Sequence, residues 1–149
     1  RDQAYRTQWI LSRQLHHEET QRDIALRLRA DSIDSLNQVE IRQILKEHGF
    51  PKKTEVGTSA CEAAWIIIQH APLDVQKEYL PMLERAATEG NIQAALVAAL
   101  HDRIDVREGH PQKYGTQRNS NGLCPLLNEK MVNQWRKEVG LPPLDEYSK

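Results

Sequence analysis

The sequence predicts an all-α domain, a compact bundle of about five to six helices that carries one long ordered polar loop with room for a short β-hairpin. Three observations predict it. Apolar residues recur at three- and four-residue spacing through most of the chain, the period of a one-sided helix. Gly and Pro fall between those stretches, as at Gly49-Phe50-Pro51, Pro72 and Gly90, where they stop helices. One stretch, Arg107 to Leu127, has no helical period and holds Gly109, Pro111, Gly115, Gly122 and Pro125.

A chain of 149 residues has the length of one ordinary domain and buries enough surface for a core without metals or disulfides. A single helical domain over residues 1–149 is therefore expected. The composition is hydrophilic, 39% hydrophobic and 28% charged with a mean hydropathy of −0.68, but its apolar residues are periodic rather than diluted, which argues against disorder. Twenty basic residues oppose 21 acidic ones and the signs interleave, so no basic face for nucleic acid or a membrane surface is expected. The longest apolar run, Ala63 to Ile68, is far short of the roughly 20 residues that span a bilayer. A first residue of Arg1 is expected of a processed product or a fragment, with any leader outside the sequence. Cys61 and Cys124 permit one disulfide, with two unpaired thiols as the plainer expectation.

Arg1 to about Arg29 reads as one long helix or two, with Tyr5, Trp9 and Ile10 as a sparse stripe. Asp31 to Asp34 offers capping chemistry for a further helix whose face is marked by Leu36, Val39, Ile44 and Leu45, closing at Gly49. Thr58 or Ser59 can cap the next helix, which runs through Ala60, Cys61, Ala63, Ala64, Trp65, Ile66, Ile67 and Ile68. Apolar nearly all round, it is expected at the centre of the bundle. Asp74 can cap a fourth helix with Val75, Tyr79, Leu80 and Leu83 inward, and Pro81 is expected to kink or split it. A fifth, from about Asn91 to Val106, puts Ile92, Leu96, Leu100 and Ile104 on one side. The last, from about Asn128 to Gly140, turns Met131, Val132 and Trp135 inward. Between them, Gln112 to Gln117 and Gly122 to Leu127 can pair as the short hairpin.

Chemistry is sought where polar residues stand without a packing reason. The 21-residue loop far exceeds the roughly 2 to 8 residues usual between bundle helices, and long connections tend to be functional. Tyr114, Thr116 and Gln117 flank Gly115, which permits close backbone approach. Arg103 shares the apolar side of its helix with Leu96 and Leu100, so its guanidinium needs a partner from across the fold or from a ligand. A carboxylate is the expected partner, Glu62 first. Gln69 and His70 end the apolar helix, where the dipole favours a protonated imidazole. His16 to Glu19 lacks the H-E-x-x-H pattern, and a solvated face is expected there. His101 and Asp105, spaced i, i+4, can clamp a metal ion but read first as a surface pair. Cys61, in the first turn of its helix, reads as a small core residue. With no phosphate loop, dinucleotide fingerprint or zinc ribbon, no cofactor and no metal are expected.

These pieces together are familiar. Asp2-Gln3-Ala4-Tyr5-Arg6, Asp34, Asn37, Gly49-Phe50-Pro51 with Val56-Gly57, Gln69-His70-Ala71, Tyr79-Leu80-Pro81, Asp102-Arg103, Gly109, Gln112, Tyr114-Gly115-Thr116-Gln117 and Val139-Gly140-Leu141-Pro142 resemble the bacterial domain of unknown function 6624 family across essentially the whole chain. Phe50 stands where that family usually has tryptophan. The resemblance brings no settled activity. It implies an exported protein, periplasmic or secreted.

The resulting expectation is a polar pocket for a cofactor-independent hydrolase or lyase. His70 and Tyr114 are its candidate catalytic groups, and Gln69, Arg103, Asp102, Gln112, Thr116 and Gln117 its candidate substrate-binding groups. The partner would be a small polar or anionic ligand. The alternative is a non-catalytic module for a ligand or a protein, in which the same residues form a structural network. On either reading His70 and the Tyr114 to Gln117 segment are expected to meet.

Overall fold

The computed structural model describes residues 21–144, so Tyr5, Trp9, Ile10 and the His16 to Glu19 run lie outside the described residues. Six helices and one small hairpin are described. They are α1 (Gln21–His48), α2 (Lys53–Val56), α3 (Thr58–Gln69), α4 (Leu73–Thr88), α5 (Ala94–Arg107), β1 (Arg118–Asn119), β2 (Gly122–Leu123) and α6 (Val132–Glu138). The mostly helical fold expected from the periodicity is the fold observed. The chain falls into two compact units that divide between Glu47 and His48.

The first unit's described part is the single helix α1. No break occurs at Asp31 to Asp34: Ser32 Oγ donates to Leu28 O at 2.8 Å and Ser35 Oγ to Asp31 O at 2.9 Å. The polar residues expected to cap a new helix thus bond back onto the preceding turn, an option open to Ser inside a helix. The expected face is also corrected. Leu36 and Val39 are about 70% exposed, while Leu26, Ala30, Ile41 and Leu45 are buried. Those four lie within about 100° of one another at 100° per residue, whereas Leu36 and Leu45 point in opposite directions.

In the second unit α4 and α5 form a hairpin and pack most extensively on each other, with α3 against α4. The turn between them is a Schellman closure. Asn91 N donates to Ala86 O at 2.8 Å and Gly90 N to Ala87 O at 3.0 Å, with Gly90 at φ +76°, a conformation glycine adopts without steric cost. Helix α4 continues through Pro81 without splitting. Pro81 and Lys77 both face solvent, so the bond the proline removes is lost where water can replace it.

Helix α3 is buried along one face, Cys61, Ala64, Trp65 and Ile68, while Ala60 and Ala63 are exposed. The helix expected at the centre therefore has a solvent side, and the middle position belongs to the α4–α5 hairpin. Trp65 ties α3 to α5 by donating its indole N–H to Leu96 O at 3.1 Å. Side-chain caps expected at Thr58 or Ser59 and at Asp74 are absent, the N-cap positions being Gly57 and Pro72. Helices α5 and α6 begin three and four residues later than their periodicity suggested. Both cysteines are buried and free.

The long loop is ordered by pairing. Strands β1 and β2 are antiparallel with Arg118 opposite Leu123 and Asn119 opposite Gly122. Cys124 N to Gln117 O at 3.1 Å continues the ladder, and Gln112 bridges to Leu126 in parallel sense. The expected segments do associate, but β1 lies just beyond the first of them, at Arg118–Asn119, and β2 covers only the start of the second, at Gly122–Leu123.

Candidate functional site

The site is built outward from α5, whose polar residues face three directions. Asp102 is fully buried. Its carboxylate accepts from Lys113 N at 2.9 Å, from Tyr114 N at 2.9 and 3.2 Å, from Thr116 N at 3.0 Å and from Thr116 Oγ1 at 2.9 Å. Charge-assisted bonds to successive backbone N–H groups are among the strongest a loop can make, and here they bend residues 113–116 around one side chain. Gln112, also fully buried, does the same from within. Its Nε2 donates to Gln117 O and Cys124 O, both at 2.9 Å, and its Oε1 accepts from Gln117 N at 2.7 Å. Gln117 Nε2 in turn donates to Ala99 O and to Thr116 Oγ1.

Four of the expected binding residues, Asp102, Gln112, Thr116 and Gln117, are therefore committed to holding the loop in shape. Gly115 shows how tight that shape is. At φ +68° it is buried, and a Cβ there would lie 3.1 Å from Leu126 and 3.3 Å from Leu144.

What the loop presents is Tyr114. Its backbone is held from both sides, by Asp102 at the N–H and by Arg136 Nη1 at the carbonyl, 2.7 Å away. Arg136 is itself buried and donates Nε to Pro142 O at 2.6 Å. The Tyr114 ring stands edge-on to His101, 6.3 Å between centroids and 89° between planes, with Lys113 Nζ 5.1 Å from its centroid. Tyr114 and His101 line a cavity of about 240 Å³ whose walls are otherwise Ala87, Ala94, Val97, Ala98 and Val139, with Glu84 and Thr88 at its polar edge.

His101 meets the cavity with Asp105 behind it. Nδ1 is 3.1 Å from Asp105 Oδ2, within ion-pair range, yet the pair is out of line for an N–H···O bond and Nδ1 is a buried atom without a hydrogen-bond partner. His101, Asp102 and Asp105 bring potential metal-ligating atoms within 4.8 Å of one another. Asp102 spends its lone pairs on the loop, however, which leaves two donors where catalytic zinc sites use three protein ligands. The donor set fits an oriented imidazole better than a metal centre.

Arg103 and Arg107 face another way. Arg103 Nη1 donates to Gln69 O at 3.2 Å, and Gln76, fully buried, donates Nε2 to the same oxygen at 2.5 Å. Arg107 Nη1 donates to Gln76 Oε1 at 3.2 Å and reaches Ala71 O at 3.5 Å. The carboxylate expected for Arg103 is thus a helix-end carbonyl, and Glu62 is not its partner. Carbonyls left over at the C-terminus of α3 are the acceptors such donors seek. Burial, and then the neighbouring Arg107, hold the Arg103 guanidinium below its ordinary value.

The expected meeting of His70 with the loop fails on this geometry. Gln69, and the helix end that carries the exposed His70, dock on the Arg103 side of α5. Tyr114 docks on the His101 side, about 160° round the helix. The two long-range polar groups missed from sequence, Gln76 and Arg136, carry no local signal, since an exposed helical Gln or Arg looks the same. Burial pushes the Cys61 thiol above its ordinary value, and Sγ lies 3.4 Å from Pro51 O, as suits a core residue.

Among the described residues no helix is long and apolar enough to cross a membrane. Neither the curated proteins nor the solved structures give a match to the chain. A family model matches residues 2–149, and the chain accordingly belongs to the family of unknown function DUF6624.

Proposed function

We propose that the cavity between α4, α5 and Tyr114 is a binding site for a small, largely apolar ligand, and that His101 acts there as an acid–base group in hydrolysis or elimination. The observation that carries this reading is the His101–Asp105 pair, 3.1 Å apart, at the wall of a cavity that the pinned Tyr114 completes. A carboxylate behind Nδ1 selects the tautomer and leaves the far nitrogen, Nε2, for the ligand. The misalignment of the pair is of the kind that substrate binding tightens in catalytic hydrogen bonds. Apolar walls with a few convergent polar groups are the usual composition of a small-molecule site.

The role first sought for His70 thus passes to His101, and Tyr114 keeps its place as the second group. Asp102, Gln112, Thr116 and Gln117 act as the structural network of the alternative reading. They position the site without touching its ligand.

Turnover of p-nitrophenyl butyrate, whose acyl chain is small and apolar, tests this with Ala94→Leu. Ala94 is a half-buried wall residue, so the larger side chain narrows the cavity while the loop network stays intact. Wild type is expected to turn the ester over and Ala94→Leu to lose that activity with its melting temperature nearly unchanged. Equal turnover by the two proteins would remove the cavity from consideration.

A further inference from the structure

The other face of α5 carries a second, independent arrangement. Arg103 and Arg107 are spaced i, i+4, so their side chains run together, and like charges at that spacing repel. Each is anchored at its Nη1 alone, to Gln69 O and to Gln76 Oε1 with Ala71 O. A guanidinium has five N–H donors in a planar fork, so most of each fork remains beyond these anchors. Neither arginine pairs with a carboxylate among the described residues. Glu108, next to Arg107 in sequence, is instead bound to Lys77. The anchors are rigid, because Gln76 is fully buried and joins both halves of the network through Gln69 O and Arg107.

The helix-end carbonyls bring only the partial negative charge of a helix C-terminus, less than the two full positive charges they face. Two neighbouring guanidiniums on one helix face, one half-buried and one exposed, present paired positive charge and the N–H donors that an oxyanion takes. We propose that Arg103 and Arg107 bind a doubly charged oxyanion of the phosphate class, each guanidinium giving the N–H groups that its carbonyl anchor leaves over. Arginine forks match phosphate oxygens bidentately, and a dianion neutralises the pair where a monocarboxylate would neutralise half of it.

Thermal melts at fixed ionic strength test the proposal with three probes, inorganic phosphate, glycerol phosphate and acetate. For wild type a saturable rise in melting temperature is expected with phosphate and little with acetate. Arg107→Gln, at an exposed position, should fold and need about tenfold more phosphate for half the effect, the loss expected when one charge-assisted partner is removed. Arg103→Lys keeps the charge but not the fork and should weaken phosphate similarly. Tighter binding of glycerol phosphate than of phosphate would identify a phosphomonoester ligand, and the reverse a free phosphate ion. A rise that does not saturate, or one that is equal in wild type and Arg107→Gln, would show a general salt effect and overturn the proposal. Because Ala94→Leu leaves this face untouched, the oxyanion site and the ester-turnover cavity stand or fall separately.

Discussion

At the scale of single residues, the decisive group is Asp102. A carboxylate withdrawn from water is tolerated only where donors replace the lost hydration, and here four donors from residues 113–116 converge on it. Asparagine at this position keeps the shape but turns an N–H₂ group toward backbone N–H donors, so some of them lose their acceptor. We expect Asp102→Asn to cost about 2–4 kcal/mol in urea unfolding, the scale of several buried donors left unsatisfied. A change under about 0.5 kcal/mol would mean that the loop is held by something else. Sequence patterning brought attention to Arg103 through its place beside Leu100. It marked Asp102 only as a substrate-binding candidate and gave no sign of its burial, which is created by a loop that returns to it from 11 to 14 residues away.

At the scale of elements, the longer helices were legible because they bury one stripe and close near a Gly or Pro, whereas the four-residue α2, which buries nothing, was not. Gly90 and Gly49 closed helices where the spacing said they would. Boundaries governed by competing local bonds were not legible. Ser32 and Ser35 have the chemistry of caps, and only their bonds to the preceding turn reveal that α1 runs on. The loop's order was legible from its content, its exact pairing less so, since Gln112 makes contacts at both ends of the 112–127 segment that no alternating pattern announces. Gly115 supplies the test at this scale. An added Cβ meets Leu126 and Leu144 in a left-handed conformation, so Gly115→Ala should lower stability by about 1–3 kcal/mol. The melting temperature measures it, and a neutral result would require the loop to be able to shift at no cost.

At the scale of the whole molecule, the described chain is two compact units, and the second gathers its polar chemistry around α5. That helix sends Asp102 into the loop, His101 toward the cavity with Asp105 behind it, and Arg103 and Arg107 toward the end of α3. The residue types of the site were legible in sequence, and their grouping was not. Periodicity fixes which residues share a helix face, but not which neighbouring element each face receives. His70 and Tyr114 both answered the description of an ordered polar residue at a helix end or in a long loop, and docking sent them to different sides of α5. Their separation makes the central claim testable with one comparison. Turnover of p-nitrophenyl butyrate by His101→Asn and His70→Asn, with melting temperatures measured beside each, separates the two histidines. The expected result is a loss of about 100-fold or more for His101→Asn, the scale of a general acid–base contribution, with His70→Asn close to wild type and both proteins folded. Loss of turnover in His70→Asn with His101→Asn unaffected would contradict it.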